Sequence, residues 1–256
     1  MLRACRPLLQ QILLRISLEL TSQERAQFFF YCEKSFPSSP SKGQLLELFC
    51  ELQKRLKSSS SVVSLLKDFT KTICRLDLEL LLMEYETEIE VDTIFKEYLH
   101  FREGNQNPDL SSATARTVSK TLSRNLRDGQ ELLTNLAKLS KSTSIEEAVR
   151  LYLDEVLSRE GKFCWSSILQ ILGFCSELAY RRMCLFPGPS MFQRWLSDID
   201  DVRLVLQEFK IVTWMAQNGG AAGCVKFIKK QDPAEMARQK ETRILISQIA
   251  EQYTTL

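Results

Sequence analysis

Histidine, glycine and proline are scarce in this sequence, whose 256 residues include 1 histidine, 9 glycines and 7 prolines. Because glycine and proline interrupt helices, their scarcity favours long helical segments. A run of about 18 apolar residues, which a membrane-spanning helix needs, is also missing. We therefore expect helices throughout the chain and no transmembrane anchor.

Neither sign of charge is in excess, because 34 lysines and arginines oppose 32 aspartates and glutamates, for a net charge of +2. That balance provides no overall electrostatic attraction to nucleic acid or to an anionic membrane. The content of 44% hydrophobic and 26% charged residues is ordinary for a folded globular protein. Nucleic acid is therefore not an expected partner.

The eight cysteines include no C-x-x-C pair, and most lie within apolar runs. We interpret them as buried thiols of a cytoplasmic protein, since disulfide frameworks are typical of small secreted domains. A zinc site would need cysteines and histidines at close spacing, and the sequence lacks such a cluster. No metal and no cofactor is predicted.

A catalytic histidine could only be His100, which lies in a helical pattern, Tyr98-Leu99-His100-Phe101. The sequence also has no glycine-rich loop of the kind that binds phosphate groups. We therefore predict no catalytic residues and a protein that is not an enzyme. A thiol hydrolase using Cys164 or Cys175 with His100 is the alternative.

Apolar residues recur at helical spacing along the whole chain, which predicts an all-α fold. The segment 163–185 is apolar on nearly all sides, as is typical of the central helix of a bundle. Residues 84–92 are acidic and lack glycine and proline, which predicts a short ordered connection or a helix shared by two bundles. The predicted helices cover residues 8–18, 22–31, 44–57, 62–74, 78–85, 86–101, 113–139, 144–158, 163–185, 192–215, 221–230 and 233–253.

Short signals mark several helix ends. Thr21 and Glu24 have the spacing of a capping box, and Ser144 is a predicted N-cap. Serines 58–61 offer a further N-cap. Gly161 and the pair Gly219-Gly220 are predicted to end the helices that precede them.

A charged motif, Arg75-Leu76-Asp77-Leu78, occurs near the end of the first 88 residues, and Glu24 and Phe30-Tyr31 occur in the second predicted helix. This pattern resembles a death effector domain. The resemblance implies a six-helix death-fold bundle over residues 1–88, with a surface charge triad and an exposed hydrophobic pair. The surface residues that it implies are Glu24, Phe30, Tyr31, Arg75, Asp77 and Leu78.

Further motifs follow in order downstream. Residues 126–133 resemble the third homology motif of the Bcl-2 family, Glu160-Gly161 with Trp165 resembles the first, and residues 214–220 resemble the second. The resemblance implies a Bcl-2-like bundle over residues 89–256 around a central hydrophobic helix. The third-motif helix would contain Leu122, Leu126, Gly129, Glu131 and Leu133, and the second-motif turn Trp214, Asn218, Gly219 and Gly220.

The Bcl-2 resemblance also implies a groove that captures an amphipathic helix. The residues that would line it are Leu133, Leu153, Leu157, Trp165, Ser167, Leu169 and Phe174. The family's first motif has an arginine where this chain has Ser167, and serine cannot form a charge-assisted bidentate pair. Two alternatives remain, a groove with a changed ligand preference and a closed bundle.

Together the two resemblances imply a cytoplasmic, non-enzymatic regulator of apoptosis. The implied partners are death effector domain proteins of the adaptor or initiator caspase type, pro- or anti-apoptotic Bcl-2 family members, and further copies of the chain. The alternative is an oligomeric scaffold or adaptor whose Bcl-2-like bundle has lost helix-ligand binding.

Overall fold

The structure is a computed structural model that describes residues 9–35, 45–56, 58–104, 113–127, 144–185 and 187–230, with the backbone alone for Ser35 and for 123–127. Every regular element within these residues is an α-helix, which confirms the all-α prediction. The chain divides into two compact units, Met1–Glu86 and Thr87–Leu256. Each unit contains its own cluster of buried apolar side chains.

The first unit consists of helices that pack around three aromatic rings. Its helices are α1 (Leu9–Glu19), α2 (Ser22–Ser35), α3 (Leu45–Leu56), α4 (Ser59–Thr72) and the beginning of α5 (Leu76–Arg102). The Phe28 ring of α2 lies edge-on to Phe69, with centroids 4.7 Å apart, and 5.6 Å from Phe49. This apolar centre fixes the orientation of α2 and therefore places the residues on its outer face.

Two of the N-cap signals give different outcomes in this unit. The capping box at α2 is confirmed, because the Thr21 N–H donates to the Glu24 carboxylate at 2.7 Å and the Glu24 N–H to the Thr21 hydroxyl at 3.2 Å. Ser58 occupies the N-cap position of α4, but its side chain makes no capping bond. The Ser58 hydroxyl instead lies 2.6 Å from the hydroxyl of Ser60.

Helix α5 is one helix where the sequence predicted two, over 78–85 and 86–101. The acidic connection between them is confirmed as ordered, and its carboxylates bind within their own units. Glu86 accepts from Lys67 at 2.7 Å, Glu88 from Gln207 at 2.5 Å, and Glu90 from the Ala221 N–H at 2.7 Å. Through these bonds the acidic residues attach both parts of α5 to other helices of the same units.

The second unit contains the end of α5 and six further helices in the described residues. They are α6 (Ala113–Arg127), α7 (Ile145–Glu160), α8 (Trp165–Cys184), α9 (Met191–Glu208), α10 (Ile211–Gln217) and α11 (Gly220–Lys229). Helix α8 is buried along most of its length and packs against α6, α7, α9 and α11. The Ser144 cap is confirmed by a bond from the Glu147 N–H, and Gly161 ends α7 in a left-handed conformation.

The predicted helix over 192–215 is wrong, because the chain turns between α9 and α10. Lys210 takes a left-handed conformation there, with φ of 60°, and no glycine marks the turn. The predicted helix over 113–139 is observed as far as Arg127. Its remainder and the predicted helix over 233–253 lie outside the described residues.

The interpretation of the cysteines as buried thiols holds for only part of the described set. Cys32, Cys175 and Cys224 are buried, and burial raises the pKa of the Cys32 and Cys224 thiols to about 12. Cys50, Cys74 and Cys184 are exposed and Cys164 is half-buried, which corrects the prediction for these four. Apolar neighbours in sequence did not place them in the core, because Cys50 lies on the exposed side of α3 and the other three lie at or beside helix ends.

Candidate functional site

The structure brings together the three charged residues that the death effector resemblance singled out. One Arg75 nitrogen, Nη1, donates to both carboxylate oxygens of Glu24 at 3.1 Å. The other two guanidinium nitrogens donate to Asp77, Nε at 2.9 Å and Nη2 at 2.8 Å. Arg75 is thus held between two carboxylates in the fork geometry that favours charge-assisted bonds.

Backbone geometry at three helix ends positions this charge triad. Cys74 takes a left-handed conformation after α4, and the Arg75 N–H then donates to the Thr70 carbonyl at 2.9 Å. Asp77 lies in the first turn of α5 and Glu24 in the first turn of α2, where helix dipoles stabilise negative charge. The triad therefore depends on the ends of three helices and on no loop outside the described residues.

The triad changes the proton affinity of both carboxylates. Hydrogen bonds from Arg75 lower the pKa of Asp77 to about 2. The Thr21 backbone bond, assisted by Arg75, lowers the pKa of Glu24. Both groups are consequently ionised throughout the physiological range.

Acid should remove the contribution of the triad to stability. A carboxylate with a lowered pKa stabilises the fold fully above its unfolded pKa of about 4 and loses that effect as pH falls toward its folded value, here about 2 for Asp77. Asp77→Asn should therefore lower the melting temperature at pH 6 and have a much smaller effect at pH 2, where about half of the folded Asp77 is already protonated. The loss at pH 6 should be only about 0.5 kcal/mol, because the Asp77 side chain is more than half exposed.

Thermal unfolding followed by circular dichroism between pH 2 and pH 6 measures this difference. Asp68→Asn, at another exposed position of the same unit, is the matched control for the change in charge. A difference between Asp77→Asn and wild type that persisted unchanged at pH 2 would contradict the interpretation.

The aromatic residues of α2 divide between core and surface. Phe30 is 71% exposed, as the predicted hydrophobic patch requires. Tyr31 is half-buried, and its ring lies 5.7 Å from that of Phe69. Leu78 is fully buried, which corrects its place in the predicted surface: it belongs to the core beneath the triad. The exposed part of the patch therefore consists mainly of Phe30.

Most of the predicted groove residues lie in the core of the second unit. Leu153, Ser167, Leu169 and Phe174 are all buried, because α8 packs against helices on several sides. This placement corrects the expectation that their side chains line an open groove. Leu157 and Trp165 are half-buried, and Leu133 lies outside the described residues.

Ser167 is bonded within its own helix end. The Ser167 Oγ accepts from the Cys164 N–H at 2.9 Å, and the Cys164 sulfur accepts from the Ser167 N–H at 3.5 Å. These reciprocal bonds form a capping box at the start of α8. Ser167 therefore caps a helix at the position where the first homology motif of the Bcl-2 family has its ligand-binding arginine.

The third-motif residues are described only in part. Leu122 of α6 is buried, and Leu126 lies in α6 with its side chain outside the description. Gly129 and Glu131 lie outside the described residues.

The second-motif turn has the geometry that its glycines predicted. Helix α10 ends at Gln217, and Asn218 donates from its side chain to the Trp214 carbonyl at 2.7 Å. Gly219 and Gly220 have φ of 90° and 57°, which is favourable mainly for glycine. The chain then enters α11 directly, so the pair of glycines ends α10 and turns the chain into the next helix as expected.

Two contacts around this turn could not be predicted from the motif. The Glu90 carboxylate of α5 caps α11 through the Ala221 N–H, and an added Cβ at Gly220 would lie 2.6 Å from that carboxylate. The rings of Trp165 and Trp214 meet edge to face at 5.0 Å. No local signal links Glu90 to a helix that begins 130 residues later.

A buried ionic network, also missed from the sequence, links α5 to α8. Glu177 is completely buried and accepts from the Tyr98 hydroxyl at 2.5 Å. Arg181 and Arg102 approach the same carboxylate at 2.8 Å and 3.3 Å. Burial, reinforced by Glu177, raises the pKa of Tyr98 well above its usual value.

The described residues contain no cluster of histidine, cysteine, aspartate or glutamate that could hold a metal ion. His100 is exposed on α5, whereas Cys175 is buried in the core of the second unit. In the same residues no helix is long and apolar enough to cross a membrane.

In comparisons with protein-family models, curated proteins and solved structures, nothing matches this chain. The two family resemblances therefore rest on the residues and their placement.

Proposed function

We propose that this chain is a non-enzymatic regulator of apoptosis whose first unit associates with death effector domains. The observation that carries the proposal is the Glu24–Arg75–Asp77 triad on the same unit as an exposed Phe30. The partners of this first unit would be death effector domain proteins of the adaptor or initiator caspase type and further copies of this chain. The six-helix death-fold arrangement of residues 1–88 is part of the proposal.

The two features have different physical roles in such an association. Burial of an exposed phenylalanine supplies about 2 kcal/mol of hydrophobic stabilisation. The triad, being oriented by fixed bonds, selects partners with complementary charge and sets the register of the complex. Two different surfaces that meet head to tail leave one surface of each kind free at the ends, so the association can continue into filaments when its rotation does not close a ring.

We propose that the second unit, a Bcl-2-like bundle, acts mainly as a scaffold. Two observations support this choice over capture of amphipathic helices from pro- or anti-apoptotic Bcl-2 family members. Leu153, Leu169 and Phe174 are buried in the bundle core, and Ser167 is committed to a helix cap. A helix ligand would have to displace these contacts and would find no arginine at that position.

Phe30→Asp tests the proposed association surface. The substitution places a charge at the centre of the patch, so affinity for a purified death effector domain should fall by at least about 30-fold, as at an interface hot spot. Leu204→Asp is the matched control, because Leu204 is exposed on α9 in the second unit. Analytical ultracentrifugation of the full chain with the partner domain measures both.

Loss of binding in Phe30→Asp alone supports the proposal. Equal binding by wild type and Phe30→Asp would overturn it, provided that circular dichroism shows the same helical content in both. Equal weakening by Leu204→Asp would move the interface to the second unit.

A further inference from the structure

Basic residues are unevenly distributed along the chain, although its net charge is close to zero. Helix α6 contains four basic residues and no acidic residue, and α11 with its C-cap Lys230 contains three basic residues and no acidic residue. Removing these seven from the 34 basic residues leaves fewer basic than acidic residues, of which there are 32, in the rest of the chain. These two helices therefore contain seven basic and no acidic residues, whereas the rest of the chain contains more acidic than basic residues.

These two helices pack directly against each other. Helix α6 turns Val118 and Leu122 inward, and α11 turns Ala221 and Cys224 inward. The exposed lysines of these two packed helices together form what we call the basic face. The basic face consists of Lys120 of α6 and Lys226, Lys229 and Lys230 at the end of α11.

No carboxylate within either helix neutralises this charge. Glu90 of α5 binds α11 through the Ala221 N–H, at the end of the helix opposite to the lysines. Phe227 and Ile228, between the lysines, pack on the core but remain partly exposed. Lysines interleaved with partly exposed apolar side chains are typical of helices that lie on a membrane surface.

We propose that the basic face binds peripherally to membranes that contain anionic lipids. The net charge of the whole chain gives no reason to expect such binding, because it averages the basic face with the more acidic remainder of the chain. A lysine close to an anionic leaflet adds a factor of about five to the partition coefficient. Four lysines at one surface are enough for reversible binding without a membrane-spanning helix. This proposal is independent of the function proposed for the first unit.

Co-sedimentation of the full chain with vesicles tests the proposal. The chain should bind vesicles of phosphatidylcholine with phosphatidylserine, should not bind vesicles of phosphatidylcholine alone, and should dissociate as salt is raised. The combined variant Lys226→Gln, Lys229→Gln, Lys230→Gln should lower the partition coefficient by about 100-fold. Lys120→Gln alone should lower it about fivefold, which shows that α6 contributes to the same surface.

A matched control removes the same number of charges elsewhere. The variant Lys34→Gln, Lys54→Gln, Lys210→Gln neutralises three exposed lysines outside the basic face and should bind as wild type. Absence of binding to the phosphatidylserine vesicles, equal binding to neutral vesicles, or equal loss in variant and control would each overturn the proposal. Binding to an acidic protein but to no vesicle would also overturn it.

Discussion

Replacing Gly223 by alanine should lower the free energy of unfolding of the second unit by about 3 kcal/mol, the upper part of the usual range for overpacking. Gly223 lies in α11 immediately after the second-motif turn. An added Cβ would overlap the Asn218 carbonyl oxygen and lie 2.9 Å from the Trp165 ring. The overlap with a backbone atom cannot be relieved by a change of rotamer, so the turn itself must move.

The sign of this effect makes the prediction specific. Inside an ordinary helix, alanine in place of glycine stabilises by up to about 1 kcal/mol. Ala222→Gly, at the exposed neighbouring position, is the control and should cost about 1 kcal/mol for the same reason. Urea unfolding followed by tryptophan fluorescence is the measurement, because Trp165, Trp195 and Trp214 all lie in the second unit. Wild-type or greater stability of Gly223→Ala would contradict the close approach.

Replacing Glu177 by leucine should also cost about 3 kcal/mol, since removing one member of a buried ionic group leaves its partners uncompensated. The Tyr98 hydroxyl would lose its acceptor, and Arg102 and Arg181 would lose their shared carboxylate. The two arginines keep about a fifth of their side-chain surface exposed, so water limits the loss.

The contribution of the Tyr98 bond can be separated by a double-mutant cycle. Tyr98→Phe should cost about 1 kcal/mol alone and much less when Glu177 is already leucine, because the two residues share one bond. The same fluorescence-detected unfolding measures all four proteins. Additive effects, or a loss below 1 kcal/mol in Glu177→Leu, would show that the network does not stabilise the fold.

Local sequence signals predicted the helices well and their long-range contacts poorly. The capping box at Thr21, the cap at Ser144 and the glycine turn at Gly219 all act within a few residues, and the structure confirms them. The left-handed Lys210 has no such signal, because tertiary packing imposes a conformation that lysine disfavours on its own. Helix α5 was predicted as two helices because the acidic residues 84–92 separate two apolar stretches of sequence.

In the candidate site, too, the local features could be predicted from the sequence and the features that depend on packing could not. The charge triad could be proposed from a motif, because its residues match a known pattern. The burial of Leu78 and the use of Ser167 as a cap depend on packing and on Cys164, whose sulfur is an unusual capping acceptor. Contacts such as Glu90 with Ala221 join residues far apart in sequence and could be found only in three dimensions.

We proposed that the first unit binds death effector domains and that the second unit acts as a scaffold. The most direct test of these two roles is one anisotropy titration series with the full chain. A labelled death effector domain and labelled amphipathic third-motif peptides are titrated in parallel under the same conditions. We expect saturable binding of the domain and no submicromolar binding of any peptide. Submicromolar binding of a peptide, together with no binding of the domain, would contradict it and would make helix capture by the second unit the working function.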